Sequence, residues 1–280
     1  MIDAEKIKQK AEEQKVSPRL VFKEYVHLFI LEYLFKKGLF SHLVFQGDTA
    51  LRFIYKGVRY SEDLDFVFRK KDANFFSQLA KKLRSLPSYI DRFILLVRNP
   101  QLQIQKNTHN FKRFSLTFEV EFLKGRDKTL IEIAHIPSYS INTVILTLED
   151  IPLTPGIVVE TPQEILSDKF LAFASRDYLK GRDLWDIYFI LNILHIPVNE
   201  EIKRMLEKKV FDYGLTREEF ILKFEKNLIF LKENGTAILE REMDKFLPLA
   251  YRELFKDKYP DICEKELNIL NKLWKELKEK

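Results

Sequence analysis

Between Ser61 and Phe68 the chain alternates in a way that suits a β-strand and little else. Ser61, Asp63, Asp65 and Val67 fall on one face, and Glu62, Leu64, Phe66 and Phe68 on the other. A sheet that buries Leu64 and Phe66 must present Asp63 and Asp65 side by side, with Cα atoms roughly 6.6 Å apart, twice the rise per residue. Two carboxylates that close repel and raise each other's pKa unless a cation sits between them. From the D-x-D spacing by itself, the wet side of an edge strand is the simpler reading, because the pattern is common by chance.

The residues just upstream change that balance. Leu43-Val44-Phe45 is a short apolar run into Gly47-Asp48-Thr49, and Ala50 to Lys56 reads as a brief helix stopped by Gly57. In such a strand, turn and helix, Gly47 lets the backbone approach an anion, the helix N-terminus offers free N–H groups, and Thr49 adds a hydroxyl. An anion site followed closely by a carboxylate pair is what a nucleoside triphosphate with its cation needs. Hard oxygen ligands suit Mg²⁺ or Mn²⁺.

Elsewhere the pattern is helix, then strands, then helices. Ser17-Pro18 reads as N-cap and N1 proline of a long helix through Leu34, ended at Lys37-Gly38. Asp72 to Leu86 is helical, and Phe93 to Ile133 turns β-like, the clearest strands being Phe114 to Leu123 and Thr129 to His135 with a hairpin-length connector. After the proline-punctuated segment Pro137 to Pro155, Thr161-Pro162-Gln163-Glu164 is a capping box for a helix to about Leu179. Gly181 separates it from a helix over Asp183 to Leu194. Beyond Asn199 everything reads as helical, with a second capping box at Thr216 to Glu219 and a last helix reaching Lys280. The expected organisation is a core domain over 1–158 and a helical domain over 159–280.

Composition closes off other chemistries. With 46% hydrophobic and 13% aromatic residues the chain has enough material for one large core or two smaller ones. A net charge of +5 favours a polyanionic partner without requiring one. The single cysteine, Cys263, rules out an intramolecular disulfide or a Cys-based zinc site and is expected to be a packed small residue. Five scattered histidines form no H-E-x-x-H, and there is no G-x-x-x-x-G-K-[ST], G-x-G-x-x-G or G-x-S-x-G. The N-terminus lacks an apolar core of signal-peptide length, and Leu28 to Phe35, interrupted by Glu32, falls short of a membrane span. A soluble, cytoplasmic protein is expected.

At this point the sequence resembles the AbiEii/AbiGii-type nucleotidyltransferases of the polymerase-β-like superfamily. The family's Gly-Gly-Thr-Ala-Leu is met by Gly47-Asp48-Thr49-Ala50-Leu51, and its Arg-Phe-Ser-Glu-Asp-Leu-Asp-Phe by Arg59 to Phe66 with Tyr60 in the aromatic place. A helical lysine and a following Arg-Asp-x-x-Asp look like Lys169 and Arg182-Asp183-Leu184-Trp185-Asp186. One departure stands out: Asp48 replaces the usual second glycine, and it either weakens triphosphate binding or joins the cation site.

The resemblance implies an α+β fold, a polymerase-β-like mixed sheet with flanking helices followed by an all-helical C-terminal domain that closes one wall of a nucleotide cleft. It implies that Asp63 and Asp65 hold Mg²⁺ or Mn²⁺ and that a third carboxylate comes from a neighbouring strand. Glu132 is the candidate, with Glu119 and Glu121 as competitors. Gly47, Asp48, Thr49, Arg59, Lys169 and Arg182 are expected at the nucleotide, although Arg59 also reads as an ion-pair partner for Glu62. Asp186 is expected to orient Lys169 or the acceptor. Lys169 and Arg176, two turns apart, share a helix face, whereas Asp183 at a helix start is ordinary dipole complementarity.

As partners the resemblance implies a nucleoside triphosphate, a tRNA 3′ end as acceptor and a cognate antitoxin. Lysines from Lys203 to Lys209, with Arg204, are candidates for an RNA backbone, solvated helix surface being the simpler explanation. Two other readings stay open: a nucleotide- or partner-binding protein in which Asp48 impairs catalysis, and a transferase acting on a small molecule or protein.

Overall fold

The computed structural model describes residues 3–147 and 153–279, so Met1, Ile2, Lys280 and the part of the proline-punctuated segment at 148–152 lie outside the described residues. Two units can be taken in turn, Met1–Thr161 and Pro162–Lys280.

In the first unit, α1 (Ala4–Gln14) leads into α2 (Pro18–Lys36), where Ser17 accepts the Arg19 N–H and Pro18 stands at the first turn. Residues Val21, Phe22, Val26, Ile30, Leu31, Tyr33 and Leu34 are all at most 1% exposed. A helix apolar on most sides is one surrounded by protein. β1 (Leu43–Gln46), α3 (Gly47–Phe53) and β2 (Leu64–Phe68) follow, then α4 (Ala73–Leu83), α5 (Leu86–Phe93), β3 (Val97–Asn107), β4 (Phe111–Val120), β5 (Gly125–Pro137), β6 (Ile141–Ile145) and β7 (Gly156–Glu160).

The strands form one seven-stranded mixed sheet in the order β3-β4-β5-β2-β1-β7-β6. β1 runs antiparallel to β2 and parallel to β7, and β2 runs parallel to β5. The apolar alternation of β2 does its expected work, since Leu64, Phe66 and Phe68 are wholly buried. Phe66 packs on Phe40 and Phe45, and Phe68 on Phe75 and Phe76; each such ring contributes roughly 1.5–3 kcal/mol of burial.

Three details differ from the sequence expectation. The ladder of β2 begins at Leu64, so Ser61 to Asp63 lead into it without belonging to it. The helix after β1 starts at Gly47 itself, ahead of Ala50. β6 lies within the proline-punctuated segment Pro137 to Pro155, β7 directly follows it, neither was expected as a strand, and β7 runs through Val158. Five-residue strands beside prolines carry too few alternations to stand out, and pairing with β1 makes β7 a strand.

The second unit is helical throughout its described residues: α6 (Pro162–Ser175), α7 (Gly181–Tyr188), α8 (Glu200–Asp212), α9 (Arg217–Phe246), α10 (Leu249–Phe255) and α11 (Tyr259–Glu279). The capping box expected at Thr216 is present, with Glu219 reaching back to the Thr216 N–H. Phe173, Phe220 and Phe224 pack edge to face, as do Trp185 and Phe255. Gly235 admits α11 closely, because a Cβ there would meet Cys263 Sγ at 3.1 Å. Cys263 is the packed residue expected, and burial pushes its thiol up to about 11.

Candidate functional site

The turn after β1 is shaped by what stands opposite it. Gln46 pairs with Asp65 across the β1–β2 ladder, which brings the Asp65 carboxylate to the first residue of α3. Gly47 has φ +77°, and a Cβ built on it would lie 3.1 Å from Asp65 Oδ2. Glycine is therefore required twice over, once for the left-handed backbone and once for the approach of the carboxylate.

Pairing of β2 with β5 then selects among the acids. Asp65 is in register with Glu132, and Leu64 and Phe66 with Ile131 and Ile133, so Asp65 and Glu132 share a face on strands about 4.8 Å apart. Glu119 lies opposite Arg126 at the far part of the β4–β5 ladder and pairs with it at 3.2 Å, and Glu121 stands in the short turn beyond β4. Asp63 stands just before β2, where its Oδ1 accepts the Leu130 N–H at 3.2 Å. Burial pushes its carboxyl up, the Leu130 N–H holds it partly down, and the negative charge of Glu132 pushes it up further. The ligand oxygens of Asp63, Asp65 and Glu132 are not all within 4.8 Å of one another.

Thr49 is turned into the protein. Its hydroxyl donates to the Asp63 carbonyl and shares a 2.8 Å hydrogen bond with Ser61 Oγ, and the residue is 1% exposed. This ties α3 to the approach to β2 and so fixes the turn relative to the aspartates. Asp48, the departure from the family motif, pairs with Arg59 at 2.8 Å, and the Arg59 side chain is only 3% exposed. Arg59 also donates to its neighbour's carbonyl at Tyr60. Glu62, considered as the partner of Arg59, pairs instead with Lys23 at 3.3 Å. The extra acid at the turn thus meets a buried guanidinium within its own unit.

The remaining motif residues lie in the second unit. Lys169 Nζ lies 2.9 Å from Asp183 and 2.7 Å from Asp186, with all three side chains at most 6% exposed. Arg176 Nε reaches Asp183 at 2.9 Å, so the face shared by Lys169 and Arg176 converges on one acid. Asp183, part of the Arg-Asp-x-x-Asp motif but read as a helix-start acid, is the centre of this cluster, its partners being Lys169 of α6 and Arg176 just beyond it. Arg182 turns to α9, its backbone N–H and guanidinium both directed at Glu242, with the guanidinium over the Phe246 ring. Glu164 is wholly buried against the equally buried Lys209 at 2.9 Å, and Lys209 also takes Asp168 at 2.7 Å. Lys203 pairs with Glu200 and Glu276. Two of the lysines considered for an RNA backbone are therefore engaged inside the unit.

Comparison with known proteins agrees with the fold. A candidate nucleotidyltransferase of H. pylori has the same fold with a TM-score of 0.52 at 18% identity, over 94% of this chain and 98% of its own. The JHP933 protein of Helicobacter pylori gives 0.50 at 20% identity, over 94% and 95%. No curated protein matches. No helix among the described residues is long and apolar enough to cross a membrane. Residues 30–264 match the family described as nucleotidyl transferase AbiEii toxin, type IV toxin–antitoxin system. Since that match spans most of the sequence, the chain belongs to the AbiEii nucleotidyltransferase family.

Proposed function

We propose that the chain transfers a nucleoside monophosphate from a nucleoside triphosphate to the hydroxyl of an acceptor, with the centre of the reaction at Asp63, Asp65 and Glu132. The observation that carries this reading is the register of Asp65 with Glu132 directly beside the glycine turn at Gly47. The donor set is the carboxylates of Asp65 and Glu132, paired across β2 and β5, with Asp63 just before β2, hard oxygen ligands that fit Mg²⁺ or Mn²⁺. When bound, such a cation lowers the cost of the charge that develops as the phosphoryl group moves.

The chain's own residues supply the rest. The Gly47 turn receives phosphate oxygens, and Asp48 beside it pairs with Arg59. Thr49 serves by holding the turn against Asp63. In the reaction the acceptor oxygen attacks the α-phosphorus, the bond to the bridging oxygen breaks and pyrophosphate leaves. Lys169, Arg182 and Asp186 are proposed to serve the same reaction. Lys169, held by Asp183 and Asp186, keeps its ammonium in one position.

We take the acceptor to be the 3′ end of a tRNA, and the biological role to be that of a cytoplasmic toxin restrained by an antitoxin. Incubation with each labelled triphosphate, Mg²⁺ and total tRNA tests this. Label on RNA that is lost in Asp65→Asn supports the proposal. Label on protein or small molecules, or nucleotide binding without transfer, replaces it by one of the two other readings.

A further inference from the structure

The row of side chains that crosses the sheet at Asp65 continues past Glu132. Strand pairing sets Asp65 beside Glu132, Glu132 beside Arg113 and Arg113 beside Lys106, so two anions and then two cations follow one another across β2, β5, β4 and β3. Directly paired residues share a face, and opposite charges on such pairs attract. Arg113 Nε reaches Glu132 Oε1 at 2.7 Å, with the two side chains 37% and 22% exposed. Phe111, two residues along β4, lies under both cations: Arg113 is 5.7 Å and Lys106 is 5.2 Å from its ring centre. The ring thus supports the guanidinium in place beside Glu132.

We propose that Arg113 is a counter-ion that competes with a divalent cation for the Glu132 carboxylate and thereby sets the cation concentration at which the site fills. The inference rests on the reading of Asp63, Asp65 and Glu132 as cation ligands. A guanidinium stays charged at any physiological pH and makes its strongest contacts to carboxylate oxygens. A cation that takes the same carboxylate must either displace Arg113 or settle beside its positive charge, and both lower its affinity. The geometry agrees, because Arg113 on β4 already holds Glu132 Oε1 at 2.7 Å. Arg113 is thus a positioning residue, acting through Glu132 and not through substrate.

The test is titration of the full chain with Mn²⁺ alone, free Mn²⁺ being read by electron paramagnetic resonance. Arg113→Ala is expected to bind Mn²⁺ roughly fivefold more tightly, the upper range for a partly exposed ion pair, and Arg113→Lys to stay close to wild type. In the Glu132→Gln background the same replacement of Arg113 should change nothing. Unchanged or weaker binding by Arg113→Ala overturns the proposal, as does an equal gain when Glu132 is already Gln. Arg113→Gln carries the same expectation should the alanine variant not fold. The underlying reading fails separately, by Asp65→Asn binding Mn²⁺ as wild type does.

Discussion

Replacing Gly47 by alanine separates what the turn contributes to folding from what it contributes to the site. Gly47 and Gly38 both lie in the first unit with left-handed backbone, φ +77° and φ +67°. Either residue as alanine carries the cost of that conformation, roughly 1–2 kcal/mol. Around Gly38 an added Cβ meets nothing within 4 Å, whereas at Gly47 it lies 3.1 Å from Asp65 Oδ2 and 3.4 Å from Asp65 Cβ. The backbone penalty is therefore common to both variants and the push on Asp65 belongs to one.

Thermal unfolding should show both losing roughly 2–8 °C, from about 2–4 °C per kcal/mol. Transfer should fall severalfold in Gly47→Ala, less than the roughly 10²-fold that misplacing a reacting group by about an ångström costs, because contacts of 3.1 and 3.4 Å ask Asp65 to give only slightly, while Gly38→Ala keeps wild-type kcat/KM. Equal activity of the two variants, or a Gly47→Ala enzyme as fast as wild type, would refute the argument that this glycine exists to admit Asp65.

Three further outcomes follow from buried charge. His27 is wholly buried, and burial first, with Lys23 second, holds its pKa down to about 3. With the folded value below the unfolded 6.5, its contribution is intact above pH 6.5 and is lost as pH falls toward 3, at about 1.4 kcal/mol per pH unit. Chemical denaturation of the wild type should show that slope and His27→Gln should lack it; equal slopes refute the assignment. Glu266 is fully buried, and burial together with the charge of Asp186 pushes its carboxyl well up. Here the folded value exceeds the unfolded one, so stability declines as pH rises from the unfolded carboxylate range toward the folded value. Glu266→Gln should be the more stable protein at neutral pH, and a less stable variant would sink the idea. Lys209→Met leaves Glu164 buried without its cation and should destabilise the second unit by about 3–5 kcal/mol, read as a shift of the urea midpoint; a loss below about 1 kcal/mol would show that water reaches the pair.

Much of this was legible before any fold was known, for local reasons. Alternation over Ser61 to Phe68 placed Leu64 and Phe66 on one face and Asp65 on the other, because successive side chains on a strand point to opposite faces. Ser17-Pro18 and Thr216 to Glu219 announced helix starts because caps satisfy N–H groups within a few residues of themselves. What sequence left open was every relation between distant segments. Glu132 was the candidate over Glu119 and Glu121, but that it stands beside Asp65 is known only from the pairing of β2 with β5. That Asp48 meets Arg59, eleven positions later, was likewise invisible in the sequence. Asp183 looked like a dipole complement until Lys169 of α6 and Arg176 just beyond it were found against it. Conformation along the chain is set by neighbours within a turn or a strand, so composition and spacing determine it. Which charges meet depends on register and packing between elements, and only the tertiary structure decides those.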